Sequence, residues 1–251
     1  LNEVNSYGMG TPSQYIAFSP KPDFIDSKWS SHYAQYDPAQ ANALLDQTGA
    51  VDTDGDGMRE LPNGDPLVIN IDFATQGIGG GEVELVARHW NDVGVKTLFK
   101  EVTPDEYRGA QSSNQLDVGA WQKNQPIAII LGENELFVPP YENYFGHTTA
   151  IKWAEYIDSN GSSGIKPPQY AYDMIDALNT FQSATAGSAE SHAAGNKMVE
   201  LLTDNLLFIG TVFAPYPVFH RNALKNVTQF KVASYNYYRT FPYLPQQWYL
   251  A

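Results

Sequence analysis

The sequence predicts an α/β fold, a mixed sheet with flanking helices, and three observations predict it. Residues 67–73 alternate apolar and polar side chains, with Leu67, Ile69, Ile71 and Phe73 on one face, as a half-buried strand does. Residues 82–93 instead repeat apolar side chains at helical spacing, through Val83, Val86, Ala87 and Trp90. Two more strand-like runs, 95–102 and 117–121, flank a segment that opens Thr103-Pro104-Asp105-Glu106. Strand, helix, strand, helix, strand in succession argues for helices packed on a sheet.

The elements follow in order. Residues 7–37 are rich in Pro, Ser and aromatics, lack periodicity, and read as an extended, surface-hugging segment. Asp37 then suits a helix N-cap and Pro38 the first helical position. Ala41, Leu44 and Leu45 would form the apolar face of that helix, and Gly49 would stop it. An acidic loop at 52–57 and a turn at 62–65 lead into the first strand. Residues 77–81 read as a flexible turn. Thr103 caps the next helix, with Pro104 at its first position and Glu106 completing a capping box. Residues 124–166 read as long, irregular and aromatic. Residues 170–183 and 190–204 read as two helices, 206–213 as a strongly apolar strand, and 215 onward as a Pro- and Tyr-rich tail with little periodicity. There is no internal repeat.

Composition narrows the function classes. The net charge of -13, from 28 acidic against 15 basic residues, repels phosphate backbones and anionic lipid, so nucleic acid is not an expected partner. The absence of cysteine removes disulfides and thiol chemistry. No apolar run approaches the ~18 residues that a membrane-spanning helix needs. The 16 Tyr, 12 Phe and 5 Trp exceed what a plain core requires and suit a surface that stacks on something. The chain opens at Leu1-Asn2-Glu3-Val4 without an initiator Met, so a fragment of a longer protein is expected.

The sharpest local motif is Asp52-Thr53-Asp54-Gly55-Asp56-Gly57. Oxygen ligands at alternate positions followed by a glycine match the first half of an EF-hand-type calcium loop. Asp52, Asp54 and Asp56, the Met58 carbonyl and the Glu60 carboxylate are the candidate ligands. The twelfth loop position is Asn63 and not the bidentate Glu, which weakens that reading. The alternative is an Asp/Gly turn held by its own side-chain hydrogen bonds. Catalytic patterns are absent: His32, His89, His147, His192 and His220 show no zinc spacing, and there is no G-x-S-x-G elbow. Gly79-Gly80-Gly81 lacks the Lys-Ser/Thr of a phosphate loop and reads as a strand-to-helix connection. Trp121 ends the third strand, where open α/β sheets place ligands, and an indole there can stack on a peptide plane, a ring or a sugar face; the alternative is that it packs in the core. Trp153 and Tyr156, at helical spacing, read as core or groove filler.

Several segments in order resemble the peptide-type solute-binding proteins of ABC importers, the dipeptide/oligopeptide-binding group called family 5. Asn2-Glu3-Val4 through Gly8-Met9-Gly10-Thr11-Pro12 resembles the passage that precedes their C-terminal lobe. Tyr36-Asp37-Pro38 with Leu44-Leu45 is similar to a helix of that lobe, and Asp52 through Glu60 with Asn63-Gly64 to its acidic turn. Glu84-Leu85-Val86-Ala87 to Gly94-Val95, Trp153-Ala154-Glu155-Tyr156 with Gly164-Ile165-Lys166-Pro167-Pro168, and Asn222 through Val227 continue the match.

The resemblance implies one lobe of a periplasmic-binding-protein-like fold (class II, cluster C). The whole of 1–251 would be a C-terminal lobe from a longer two-lobed protein, with 215–251 a tail suited to packing on the missing lobe. It implies a binding component and not an enzyme, monomeric, periplasmic or extracellular. It would reach the membrane through the permease subunits of its importer and require no cofactor beyond the candidate calcium. Family members carry a Gly-Trp-type segment on the strand matched here by Gly119-Ala120-Trp121. In peptide-specific members an acidic residue soon afterwards pairs with the peptide amino terminus. Here Gln122, Lys123, Asn124 and Gln125 follow, and a lysine would repel an ammonium group. The implied ligand-contacting set is Gly119, Ala120, Trp121, Gln122, Lys123 and Asn124. An oligosaccharide, an opine-like compound, or an acidic or blocked peptide all remain open as solutes.

Overall fold

The computed structural model describes residues 1–14, 22–121, 150–214, 220–227 and 244–251. Its centre is a three-stranded parallel sheet in the order β3-β2-β4, with β2 at Val68–Phe73, β3 at Lys96–Glu101 and β4 at Val118–Ala120. The register pairs Ile71 with Phe99 on one side and with Val118 on the other. The predicted alternation holds: Ile71 and Phe73 are buried, and Val68 and Asn70 are exposed. Ile71 and Phe73 pack with Val83 of helix α4 (Gly80–Asn91), and Val86, Trp90 and Val118 surround them. The α4 helix starts two residues before the expected 82–93 and ends two before it, with Val83 already buried in its first turn.

Helix α3 (Pro38–Gln47) is capped as the sequence predicts, the Gln40 N–H donating to Asp37 Oδ1 at 2.9 Å. Leu44, expected on its buried face, is 49% exposed. The reason is that α3 is tied down by polar side chains: Asn42 and Asp46 both hold the Arg59 guanidinium, while of the expected apolar face Ala41 and Leu45 are half-buried.

Helix α5 (Pro104–Ser112) carries the full capping box, Thr103 Oγ1 accepting from the Glu106 N–H and the Glu106 carboxylate accepting from the Thr103 N–H. The Thr103 N–H and hydroxyl, both donating to the Glu106 carboxylate, draw it below the usual carboxylate range.

A second core lies between helices α7 (Gln169–Ser183) and α8 (Ala189–Asp204), both at their predicted places. Met174, Leu178, Met198, Val199 and Leu202 fill it, joined by Ile25 and Trp29. Three sequence expectations change here. After the short helix α1 (Asn2–Ser6), the described part of segment 7–37 is extended at Thr11–Pro12, which form β1, but Lys28–Ser31 forms the short helix α2 and Trp29 is buried.

Of the stretch 124–166 expected to be irregular, residues 124–149 lie outside the described residues, and Ile151–Asp158 forms helix α6. Trp153 packs edge-on against Tyr170, and Glu155 accepts from Lys152 at 2.6 Å and from Ser163. Its half-buried Ile, Trp and Tyr side chains make the helical face that the spacing of Trp153 and Tyr156 indicates. The apolar run 206–213 is a strand only at Val212–Phe213 (β5). Leu206 turns into left-handed backbone at φ 46°, and Leu207 and Phe208 cover the helical core; their hydrophobicity serves a helix pair and not a sheet.

Two antiparallel ladders complete the fold. β1 pairs with β5, Thr11 opposite Phe213. Leu224–Lys225 (β6) pairs with Tyr249–Leu250 (β7) inside the expected irregular tail. No helix among the described residues is long and apolar enough to cross a membrane.

Candidate solute site

β2 and β4 end side by side, Phe73 opposite Ala120, so Trp121 leaves the sheet at its carboxyl edge next to the loop that follows β2. That loop turns at once, with the Gly77 and Ile78 N–H groups both donating to the Ala74 carbonyl, at 2.7 and 3.2 Å. The turn puts Gly77 against the indole. A Cβ built on Gly77 would lie 2.3 Å from Trp121 Cε3 and 2.4 Å from Cδ2, distances no side chain tolerates. Gly77, expected in a flexible turn, is instead buried.

Tyr107, from α5, is a second neighbour of the indole, with ring centroids 5.4 Å apart and planes tilted by 40°. It is only 2% exposed. Its hydroxyl lies over Gly119, where a Cβ would come within 2.4 Å of it. Burial pushes the phenol up to about 12, and the nearby Asp72 carboxylate pushes the same way. The phenol therefore stays neutral at physiological pH. Asp72 stands opposite Gly119 in the β2–β4 register. The result is a preformed aromatic plane at a sheet edge with a neutral phenol and a carboxylate behind it, an arrangement suited to stacking and hydrogen bonding.

Of the residues expected to contact solute, Gly119 and Ala120 lie on β4 and Trp121 follows directly; Gln122, Lys123 and Asn124 lie outside the described residues. Sequence reasoning missed Gly77, Tyr107 and Asp72. Tyr107 had a signal, being an aromatic in the second turn of a well-capped helix; Gly77 had none.

The acidic loop closes on itself. Asp52 accepts from the Gly55 N–H at 2.7 Å and from the Gly57 N–H at 3.0 Å; Asp54 accepts from the Asp56 N–H at 3.1 Å. Asp56 accepts from the Met58 N–H at 2.7 Å, and Glu60 from the Thr53 N–H and hydroxyl at 2.7 and 2.6 Å. Carboxylate oxygens of Asp52, Asp54 and Glu60 come within 4.8 Å of one another, a group that Asp56 does not join.

Beneath the loop, Arg59 is the residue that sequence reasoning left without a role. Its guanidinium donates to Asp46 at 2.6 Å, Asn42 at 2.7 Å, the Ala50 carbonyl at 2.5 Å and the Val93 carbonyl at 2.9 Å. One side chain thus binds α3, the loop and the end of α4.

An open parallel α/β sheet with an aromatic plane at its carboxyl edge is the class of scaffold that binds ligands at that edge. Residues 1–127 match the family described as bacterial extracellular solute-binding proteins, family 5 Middle, and the chain belongs to this family.

Solved structures agree on the fold. An oligopeptide-binding protein OppA is similar at 26% identity and a TM-score of 0.71, over 84% of this chain and 34% of that one. The periplasmic binding protein MelB of Agrobacterium fabrum, in complex with stachyose, is similar at 19% identity and 0.60, over 80% of this chain and 29% of that one. A mannohexaose-bound periplasmic oligopeptide-binding protein of Thermotoga maritima is similar at 19% identity and 0.61, over 84% and 38%. The chain spans 29–38% of the length of these three solved relatives. No curated protein matches the sequence.

Proposed function

We propose that this chain is part of the solute-binding component of an ABC importer, working outside the cytoplasmic membrane as a monomer and delivering its solute to the transmembrane permease subunits. It binds and does not catalyse. Family membership over residues 1–127 supports the class. The observation that carries the site is Trp121, emerging at the carboxyl edge of the parallel sheet against Gly77 and Tyr107. Gly119, Ala120 and Trp121, with Gln122, Lys123 and Asn124 after them, form this lobe's side of the cleft. The remainder of a two-lobed protein closes over it by a hinge motion. Residues 215–251 serve as a tail against that remainder, where Tyr249 and Leu250 stand exposed.

The aromatic plane and the run Gln122-Lys123-Asn124-Gln125, without a carboxylate, favour an oligosaccharide or a blocked or acidic peptide over a peptide with a free ammonium group. A thermal-shift panel on the complete parent protein tests this with tetra-alanine, stachyose and mannohexaose as separate additions. A solute at a hundred times its dissociation constant adds about 2.7 kcal/mol. The expected result is a rise with a saccharide and none with tetra-alanine. A rise with tetra-alanine alone makes the cargo peptide and removes the argument from Lys123. No rise with any of them removes the saccharide assignment.

EDTA belongs in the same panel. The carboxylates of the acidic loop already accept backbone N–H groups, so the melting temperature is expected to stay unchanged. A fall with EDTA, restored by calcium, would assign the ion to Asp52, Asp54 and Glu60.

A further inference from the structure

Gly77 rests directly against Trp121. The three heavy atoms nearest to a Cβ at this position are Cε3, Cδ2 and Cζ3 of the indole, at 2.3, 2.4 and 2.7 Å. All three belong to the six-membered ring, so the backbone at 77 rests on the benzo half of the side chain. The backbone there lies outside the left-handed region, so alanine fits its conformation and the obstacle is purely steric.

The indole has little room to yield toward Tyr107. Tyr107 is buried, and its hydroxyl is seated on Gly119 with no space for a Cβ between them. The order backbone, indole, phenol, backbone therefore links the loop after β2, the end of β4, helix α5 and the middle of β4. A rigid bicycle joined to the chain by two dihedrals, held by such a stack, has its plane fixed before any solute arrives.

We infer that Gly77 is a positioning residue for Trp121: the missing side chain sets the depth and tilt of the indole at the sheet edge, with Tyr107 and Gly119 as the second support. Combined with the proposed function, on which this part rests, Gly77 tunes solute specificity without touching solute. Any larger residue at 77 moves the stacking plane toward the cleft.

The experiment uses the complete parent protein and four forms: wild type, Gly77→Ala, Trp121→Ala and the double variant. The emission of Trp121 is the difference between a protein and its partner lacking Trp121. In the Gly77→Ala pair this difference spectrum is expected to shift to the red and to be quenched more strongly by acrylamide. The stability lost on Gly77→Ala is expected to disappear in the Trp121→Ala background. Should Gly77→Ala fail to fold, the double variant is expected to fold. An unshifted difference spectrum, or the same loss of stability in both backgrounds, overturns the inference.

A separate arm addresses the site itself, using whichever of tetra-alanine, stachyose or mannohexaose raises the melting temperature. Displacing the plane is expected to weaken that solute about tenfold, the scale of one aromatic stacking contact. A displaced indole with unchanged affinity leaves the positioning role standing and removes Trp121 from the solute site.

Discussion

At the scale of single residues, Arg59 and Trp121 show two ways in which a turn is made rigid. Arg59 supplies donors in a planar fork and spends them on four acceptors, two of them backbone carbonyls. Replacing it by alanine leaves the Ala50 and Val93 carbonyls short of a partner, at a cost of about 2–5 kcal/mol. Urea denaturation measures this as a lower midpoint at unchanged slope. Arg59→Lys is expected to recover only part of the loss, because one ammonium cannot reach acceptors fanned around a guanidinium. A full recovery would mean that charge alone, through Asp46, does the holding. The sequence displays Arg59 only as one letter of an acidic turn, because the carbonyls it serves lie 9 and 34 positions away. Trp121 was readable as a site candidate from its place at a strand end, whereas Gly77 was not. A glycine's reason for being there is the space it leaves, and that belongs to a residue 44 positions further on, from the chain numbering.

At the scale of elements, whatever rests on local spacing was legible. The alternation of 67–73, the helical repeat of 82–93 and the box Thr103-Pro104-Asp105-Glu106 all became the elements they spell. The box also makes a pH prediction. Glu106 titrates below its usual range because the folded state donates the Thr103 N–H and hydroxyl to its charged form. A carboxylate depressed on folding contributes stability that is fully present above its unfolded value and is lost as pH falls through the folded one. The melting temperature of wild type is therefore expected to exceed that of Glu106→Gln at neutral pH, with the gap closing in acid below the ordinary carboxylate range. A gap that widens in acid would contradict the assignment. Thr103→Ala, which removes the cap itself, should cost about 1 kcal/mol at neutral pH. Where elements departed from expectation, hydrophobicity was present without its partner being visible. The run 206–213 is as apolar as a buried strand, yet Leu207 and Phe208 lie on the α7–α8 pair. Period and length cannot separate these cases when the run is short.

At the scale of the molecule, the described chain has two cores, and sequence distance does not separate them. One holds Ile71, Phe73 and Val83 within the sheet unit; the other holds Met174, Leu178 and Met198, and it draws in Ile25 and Trp29 from far upstream. The upstream segment is tied to the same unit by the β1–β5 ladder, by Gln14 Oε1 accepting from the Gly210 N–H at 3.0 Å, and by Asn196 Oδ1 accepting from the Asp26 N–H at 3.1 Å. Residues 11–14 and 22–31 thus pack with residues 169–213 as one body, and the segment between 38 and 121 carries the sheet and the candidate solute site. Such a division predicts separate opening units, each with its own protection against hydrogen exchange. Leu178 is fully buried in the helical core, so Leu178→Ala should cost that unit about 2–5 kcal/mol. Exchange measured by mass spectrometry is expected to accelerate in 169–204 and in 22–31 together. The amides of β2, β3 and α4 should keep their wild-type rates. Coupled acceleration of 22–31 with 169–204 would follow from the long-range packing, since no local motif joins these segments. Equal acceleration across both cores would instead make the chain one cooperative unit. The sheet edge at Trp121 would then share its stability with the distant helix pair.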